Sequence, residues 1–534
     1  MKKILGLVVV LAALVLGSYF GMGLITERTI NKNIDVINQS SGIKAKVIEY
    51  KRGWYKSKSL LNWSLHIPER LSKDDNGQVV TIAAEDYEFK TPVVIYHGPI
   101  MYTDTGVKFG LGYAITDVEM PAAYNEKFTN LFTDESVKPN VKLSLFVNYI
   151  NKSTLHFIVP KFNLITKQGG DRFDWDGLDS YIEISSNMTD VDGGMAIDGA
   201  KLTKSKMKAI LGKVTNKFDL HLTDMGLYLG DANLVVPSLI VTDDEKKIFD
   251  LEQLDLTSNS NINDGLLDSF FKASLSKYTV KDKTYGPAVL EVAIKNIDAK
   301  VLAELNADAN KIQQGTTDAD RQKTLLAMLP ELPRLFSKGA KFEITKLNVV
   351  VPEGVIDGNL YISLPKGDLG NLFQLVQKIN GQGMIKLPAS VVKSLMFESA
   401  KQKLLSGPAM QDVLVKQMMS SNNEEVTKEG LPSTDVSDVK TKEAKPLEAA
   451  QSKLESTDAS QNDQKQSIKA QEAKPLTAAE LEDKAHAKVD ENLAAMVKSG
   501  LLILNGTEYV VEVKFAEGQL TVNGKPFTSA MIQF

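Results

Sequence analysis

Strict alternation of apolar and polar side chains, repeated along most of the chain, limits the fold more than any other feature. Leu61, Trp63, Leu65 and Ile67 stand at every second position. Val141, Leu143, Leu145 and Val147 do the same, with Lys142, Ser144 and Phe146 between them. Ile43, Ala45 and Val47 begin the pattern. Leu155, Phe157 and Val159, then Tyr181 to Ile184, then Phe218, Leu220 and Leu222, then Val289 to Ile294 continue it, and Leu251, Leu254 and Leu256 keep it less strictly. A period of two sends alternate side chains to opposite faces, so each run predicts a strand half buried and half exposed. Lys341 to Val351 and Gly358 to Leu364 form a further pair around the turn signal Pro352-Glu353-Gly354. Turn residues separate the runs, mostly without a helix between them, which predicts antiparallel meanders and not a doubly wound parallel sheet.

Apolar residues at helical spacing interrupt the strands over Ile297 to Gln313, Asp318 to Phe336, Leu369 to Ile379 and Ala389 to Met419. The expected class is α+β, β-dominated: an N-terminal single transmembrane helix, then extended antiparallel β-sheet meanders interrupted by helices.

The transmembrane expectation rests on Lys2 and Lys3 followed by an uncharged run of 22 residues, Ile4 to Ile25, that stops at Glu27 and Arg28. As a helix rising ~1.5 Å per residue it reaches roughly 33 Å, the thickness of a bilayer core. The run exceeds the apolar core of a signal peptide. A cut after Gly17 or Ser18 would leave Tyr19, Phe20, Met22, Leu24 and Ile25 as continuing apolar sequence. Residues 1–28 are therefore expected to be an uncleaved signal anchor, with cleavage as the alternative. The positive-inside bias puts the N-terminus in the cytoplasm and the body in the periplasm, giving a single-pass protein of the bacterial inner membrane. Ala13, Gly17 and Gly21 form a stripe of small residues that would let two membrane helices approach, a candidate dimer face. Glycine and alanine are also common in membrane helices for no such reason.

Residues 29–42 read as a helical stalk, with Ile30, Ile34 and Ile37 on one face. Residues 43–419 form the β-rich body, as one unit or two subdomains. From 420 to 475 Lys, Glu, Gln, Ser, Asp and Ala dominate, and Glu443-Ala444-Lys445-Pro446-Leu447 recurs as Glu472-Ala473-Lys474-Pro475-Leu476. This composition reads as a low-complexity, disordered linker, or as a docking segment that folds on a partner. Residues 476–534 then give a helix and a hairpin that pack back on the body. Thr477 and Glu480 fit a capping box and Gly500 a stop. Tyr509, Val511, Val513 and Phe515, the turn Glu517-Gly518, then Leu520, Val522 and Asn523-Gly524 make the hairpin.

Chemistry is sparse. The chain has no cysteine, which excludes disulfides, cysteine metal sites and thiol catalysis. Its net charge of −5, from nearly matched acids and bases, offers no basic field for nucleic acid. No P-loop, Gly-x-Ser-x-Gly elbow or His-Glu-x-x-His motif occurs. His97, in Tyr96-His97-Gly98-Pro99 after Val93-Val94-Ile95, is the one candidate catalytic base. Against that stands a turn histidine that satisfies local backbone groups. Asp171, Asp174, Asp176 and Asp179 cluster around glycines as calcium candidates, but EF-hand spacing is missing and Trp175 and Leu178 stand where ligands are needed. The same objection applies to Asp190 to Gly194. His66, His156 and His221 lie in strand-like runs and His486 on a polar helix. Trp54, after Arg52-Gly53, is read as core in preference to an interfacial anchor. No cofactor is expected.

On these residues the chain resembles the YdgA-like family, bacterial envelope proteins of unknown function. The apolar segment and stalk carry part of the resemblance. Tyr50-Lys51-Arg52-Gly53-Trp54 is similar to the family's Tyr-x-Arg-Gly segment, and Tyr96-His97-Gly98-Pro99 to its His-Gly-Pro segment. Gly518 to Gly524 resembles its closing hairpin. The likeness runs nearly end to end, apart from 420–475. It implies a single-span inner-membrane protein with a periplasmic body and brings no catalytic residue or cofactor. It marks Arg52, Gly53, His97, Gly98 and Pro99 as family-motif positions.

The expected function is a non-enzymatic envelope protein that binds a lipid or an envelope protein, with the membrane engaged through residues 4–25 and no nucleic acid partner. The competing expectations are an envelope hydrolase built around His97 and a self-associating structural protein that forms homodimers.

Overall fold

Each alternating run is a strand, and each long strand lies beside its predecessor. The computed structural model describes residues 17–28, 31, 34–35, 38, 43–67, 70–73, 79–120, 124–314, 328–367, 377–406, 478–528 and 531. It divides into two units, Met1–Val392 with Ala495–Phe534, and Lys393–Ala494.

The first unit is built on one antiparallel meander. Ile43–Lys51 pairs with Lys56–Ile67, which pairs with Glu85–His97, then Gly112–Glu119, Asn140–Val147, Ser153–Val159 and Arg172–Ile184. Asp190–Lys204, Val214–Leu222, Tyr228–Asp243, Lys246–Asn263, Leu266–Val280 and Ala288–Asp298 follow in chain order. Lys341–Val351, Gly354–Ser363, Asn380–Pro388, Glu508–Ala516 and Gln519–Val522 complete the series. Short strands extend these ladders without changing register. Ile67 opposite Glu85 continues as Arg70 opposite Ile82, and His97 opposite Gly112 continues as Ile100 opposite Phe109. Tight turns fix the registers where the sequence signals them. Glu517-Gly518 and Asn523-Gly524 all take positive φ, as two-residue hairpin loops require.

Two clusters anchor the sheet. At its start Ile34, Ala45, Leu61, Val93 and Ile95 are buried together, so the stalk position Ile34 covers the first strands. Further along, Ala299–Gln314 and Leu332–Phe336 bring Val301, Leu305 and Leu335 onto Leu267 and Ile297.

The second unit holds most of two antiparallel helices, Ala389–Ser406 and Ala478–Ser499. Lys393 pairs with Asp490, Phe397 stacks on His486, and Lys401 pairs with Glu482. Leu481, Ala485 and Val489 are buried at four-residue spacing on the second helix. That helix stops where expected. Gly500 takes φ +86°, and the Leu501 N–H donates to the Met496 carbonyl, as in a Schellman cap.

The N-terminal expectation is corrected. Among the described residues no helix is long and apolar enough to cross a membrane. Residues 17–28 are helix, and they are seated on the first strands of the sheet. The reason is local: the uncharged run also carries Tyr19, Gly23 and Thr26 on one face, and these find protein partners. Trp54 is corrected too, since it sits in a turn and is largely exposed. Residues 1–16 lie outside the described residues, as do Ile30, Ile37, Thr477, most of Asp318 to Phe336 and of Leu369 to Ile379, residues 407–419 and the 420–475 segment.

Candidate functional site

The family-motif positions converge at one edge of the sheet, beneath residues 17–28. His97 ends the strand Glu85–His97 and is fully buried. Its Nδ1 lies 3.3 Å from the Tyr19 carbonyl oxygen and its Nε2 lies 3.0 Å from Ser57 Oγ. A carbonyl only accepts, so Nδ1 carries the proton and Nε2 accepts from the Ser57 hydroxyl. Ser57 Oγ in turn accepts the Gly53 N–H at 3.4 Å. Burial holds the His97 pKa below its ordinary value; the Tyr19 carbonyl opposes this and the Arg52 charge adds to it. The imidazole is neutral at pH 7.

The helix fits the rest of this corner closely. A Cβ on Gly23 would lie 2.9 Å from His97 Cε1. Gly98 takes φ +121°, and a Cβ there would meet the Tyr19 ring at 2.1 Å, so a glycine is required on both counts. The Tyr19 hydroxyl donates to the Ile100 carbonyl at 2.6 Å. Arg52 forms an ion pair with Glu27 and lies 6.0 Å from the Phe20 ring centroid. The Pro99 carbonyl accepts the Tyr149 hydroxyl. The Tyr50 hydroxyl is buried near Ser57 without a hydrogen bond of adequate geometry, and burial raises its pKa.

Ser57 and His97 have the donor–acceptor sense of a nucleophile and its base. Yet both are fully buried, a main-chain carbonyl occupies Nδ1, and Gly23 covers the ring. The arrangement binds a helix. Sequence reasoning found Arg52, Gly53, His97, Gly98 and Pro99 but missed their partners Tyr19, Gly23, Glu27 and Ser57. The spacing of Tyr19, Gly23 and Thr26, at i, i+4 and i+7, is the signal that could have revealed a docking face. Gly17 and Gly21 lie on the other side of the helix, where a Cβ would meet no atom within 4 Å, and Ala13 is outside the described residues.

The aspartates do not converge. Asp174, Asp176 and Asp179 are spread along the strand Arg172–Ile184, with Asp171 just before it. Asp174 is held by Arg172 at 2.8 Å, and Asp176 lies 3.9 Å from Lys161. Among the described residues no group of three or more His, Asp or Glu side chains could hold a metal ion. His66 pairs with Asp86 at the surface and His156 lies against the Tyr181 ring.

A second feature is larger than any residue cluster. Directly opposed residues share a face, so the registers trace rows across the sheet. One row begins at Ser57 and passes through Ile95, Ala114, Leu145, Leu155 and Ile182. It continues through Gly193, Phe218, Ala232, Ser258, Phe271 and Val292. It ends with Ile344, Leu360, Gly383, Val513 and Val522, having crossed seventeen strands without a charged residue. The neighbouring row, with Leu143, Phe157, Met195, Leu234, Leu256, Leu290 and Leu347, is likewise uncharged. The opposite face is polar, with Glu183, Asp192, Asp219, Asp231 and Asn259 side by side. At its first strands the apolar face holds a groove of about 160 Å³, lined by Ile34, Leu61, Trp63, Val93, Leu145 and Leu155 among others. At the rim of the groove Leu155 is 38% exposed, and Phe157 beyond it is equally so.

A protein family described as bacterial proteins of unknown function, DUF945, matches residues 1–444 and 446–530. The chain belongs to this family. No curated protein and no solved structure matches it. Family membership places the corner around His97 and the apolar face in a bacterial protein and assigns neither a role.

Proposed function

We propose that this chain is a non-enzymatic acyl-chain carrier of the bacterial envelope, which holds lipid on the apolar face of its sheet. The observation that carries the reading is the uncharged row across seventeen strands. At about 4.8 Å per strand spacing its contour is roughly 75 Å. This is several times the ~15 Å half-thickness of a bilayer core, so the face suits a succession of acyl chains. Polar groups on it are few hydroxyls and amides, which gives little means to discriminate anything except apolar bulk. Along it Leu155, Phe157 and Phe271 are each more than a third exposed, and a run of exposed apolar side chains needs an occupant. A sheet of this many strands coils, which turns a face into a trough. The resemblance to YdgA-like envelope proteins supports the envelope as the place of work.

The test uses the full chain in native membranes with a phospholipid that carries a photoreactive diazirine in its acyl chain. Adducts are expected on Leu155, Phe157, Phe218 and Phe271. Absence of adducts on these strands, or equal labelling of the face with Asp192, Asp219 and Asp231, overturns the reading.

A further inference from the structure

At the sheet edge that receives residues 17–28, three successive turns present apolar side chains outward. The hairpin formed by Ile100–Thr103 and Gly106–Phe109 pairs Ile100 with Phe109 and Tyr102 with Val107, so these four share one face. Its other face is pinned to the body, because Met101 is buried on Tyr96 and Tyr113. The outward face is bare: Tyr102 is 68% and Phe109 60% exposed. The turn 148–152 adds Ile150, which is 76% exposed, and Tyr149, whose hydroxyl reaches the Pro99 carbonyl. The turn 52–55 adds Trp54, and the carbonyl of Tyr55 accepts the His97 N–H at 3.0 Å. The helix joins the same patch through the Tyr19 hydroxyl on the Ile100 carbonyl, and its outer side shows Phe20 and Ile25.

An amphipathic hairpin whose apolar side faces outward is an aggregation hazard in water unless something covers it. Two observations identify the cover. The described part of the uncharged run, residues 17–25, is seated at this edge. The tips mix Trp and Tyr with Ile, Val and Phe, the composition of side chains that settle at a bilayer interface, where the ring is buried and its polar end stays wet. We infer that this edge rests on a lipid bilayer surface, with the hairpin face Ile100, Tyr102, Val107 and Phe109, together with Trp54 and Ile150, set into the headgroup region. The inference rests on the acyl-carrier reading: the apolar face begins on these same strands, so lipid can pass between bilayer and sheet without crossing water.

The chain has no cysteine, so single cysteines can be labelled in the full-length protein. Tyr102→Cys, Phe109→Cys and Ile150→Cys report the tips. Lys206→Cys and Glu245→Cys, in turns at the other ends of the strands, are controls. Each carries the fluorophore NBD and is reconstituted into vesicles of phosphatidylethanolamine and phosphatidylglycerol. The expected result is blue-shifted emission at 102, 109 and 150, quenched by lipids brominated in the acyl chain, and water-like, unquenched emission at 206 and 245. Water-like emission at all three tips, or equal quenching at the controls, overturns the inference. So does a blue shift that occurs in native membranes and not in protein-free vesicles, which assigns the patch to a protein partner. If acyl-chain adducts still form on Phe157 and Phe271 while the tips stay in water, this inference falls and the carrier reading stands.

Discussion

Gly23 lies flat against the imidazole of His97, with room for a hydrogen and not for a methyl group: a Cβ on Gly23 would stand 2.9 Å from Cε1. Two residues far apart in sequence are thus shaped to each other, one in an apolar run and one in a short polar motif.

The first prediction uses this contact. Gly23→Ala forces the helix off a buried ring that cannot swing away, and overpacking of this kind costs about 1–3 kcal/mol. Gly21→Ala adds the same methyl where no atom lies within 4 Å. It should be neutral or gain roughly 0.5–1 kcal/mol from helix propensity. Amide hydrogen exchange over residues 17–28 checks the pair. Exchange should accelerate in Gly23→Ala and be unchanged or slower in Gly21→Ala.

Acid should loosen the same corner. His97 is buried and neutral, with a pKa held below the ordinary 6.5 chiefly by burial. The unfolded chain therefore takes up a proton at a pH where the folded one does not, and in that window stability falls as pH falls. The contribution is complete above pH 6.5 and declines from there down to the folded pKa. His97→Gln keeps an acceptor for Ser57 and cannot titrate. Thermal unfolding measured between pH 7.5 and pH 5 should show a smaller pH dependence in His97→Gln than in the parent chain, at a lower overall stability. An unchanged slope would remove His97 as the titrating group.

Strand identity was legible because a half-buried strand must alternate, and Leu61 to Ile67 or Val141 to Val147 can do little else. The closing hairpin was legible from Glu517-Gly518 and Asn523-Gly524, whose positive φ values few other pairs tolerate. The unbroken row was not legible. It depends on registers accumulated across every turn, and a one-residue slip at any of them sends the next strand's apolar residues to the other face. Residues 17–28 misled for a different reason. A helix packed on an apolar sheet and a helix in lipid are selected for the same side chains, and only Tyr19, Gly23 and Thr26 mark one side as seated on protein. Arg52 and His97 stood out as motif positions, but nothing near them in sequence names Glu27, Tyr19 or Gly23 as partners.

The pairing of Arg52 with Glu27 is testable by exchange of charge. Both side chains are about a third exposed, so solvent weakens the pair and its contribution is ~1 kcal/mol or less, with the Phe20 ring adding a few tenths. Arg52→Glu alone places two carboxylates together and should raise proteolysis between residues 28 and 43. Arg52→Glu combined with Glu27→Arg should restore resistance in part, because the ion pair returns and the stacking on Phe20 does not. A double variant as sensitive as Arg52→Glu would show that the charges do not interact.

The apolar face yields the most direct functional prediction. Phe157 and Phe271 lie on it at well-separated strands and are each more than a third exposed. Phe157→Asp or Phe271→Asp puts a charge on an otherwise uncharged surface. Each should lower stability by about 1–2 kcal/mol through lost apolar burial. Each should also remove acyl-chain photolabelling from its own strand and the strands beside it, since an unpaired carboxylate against a hydrocarbon chain is costly. Thr257→Asp adds the same charge on the polar face, opposite Asn233 and Lys272, and should leave labelling intact. Urea midpoints separate damage to the sheet from loss of lipid. A Phe157→Asp chain that unfolds near the parent midpoint yet loses labelling places the acyl chains on this face. Equal loss in Thr257→Asp would tie labelling to general disruption of the sheet.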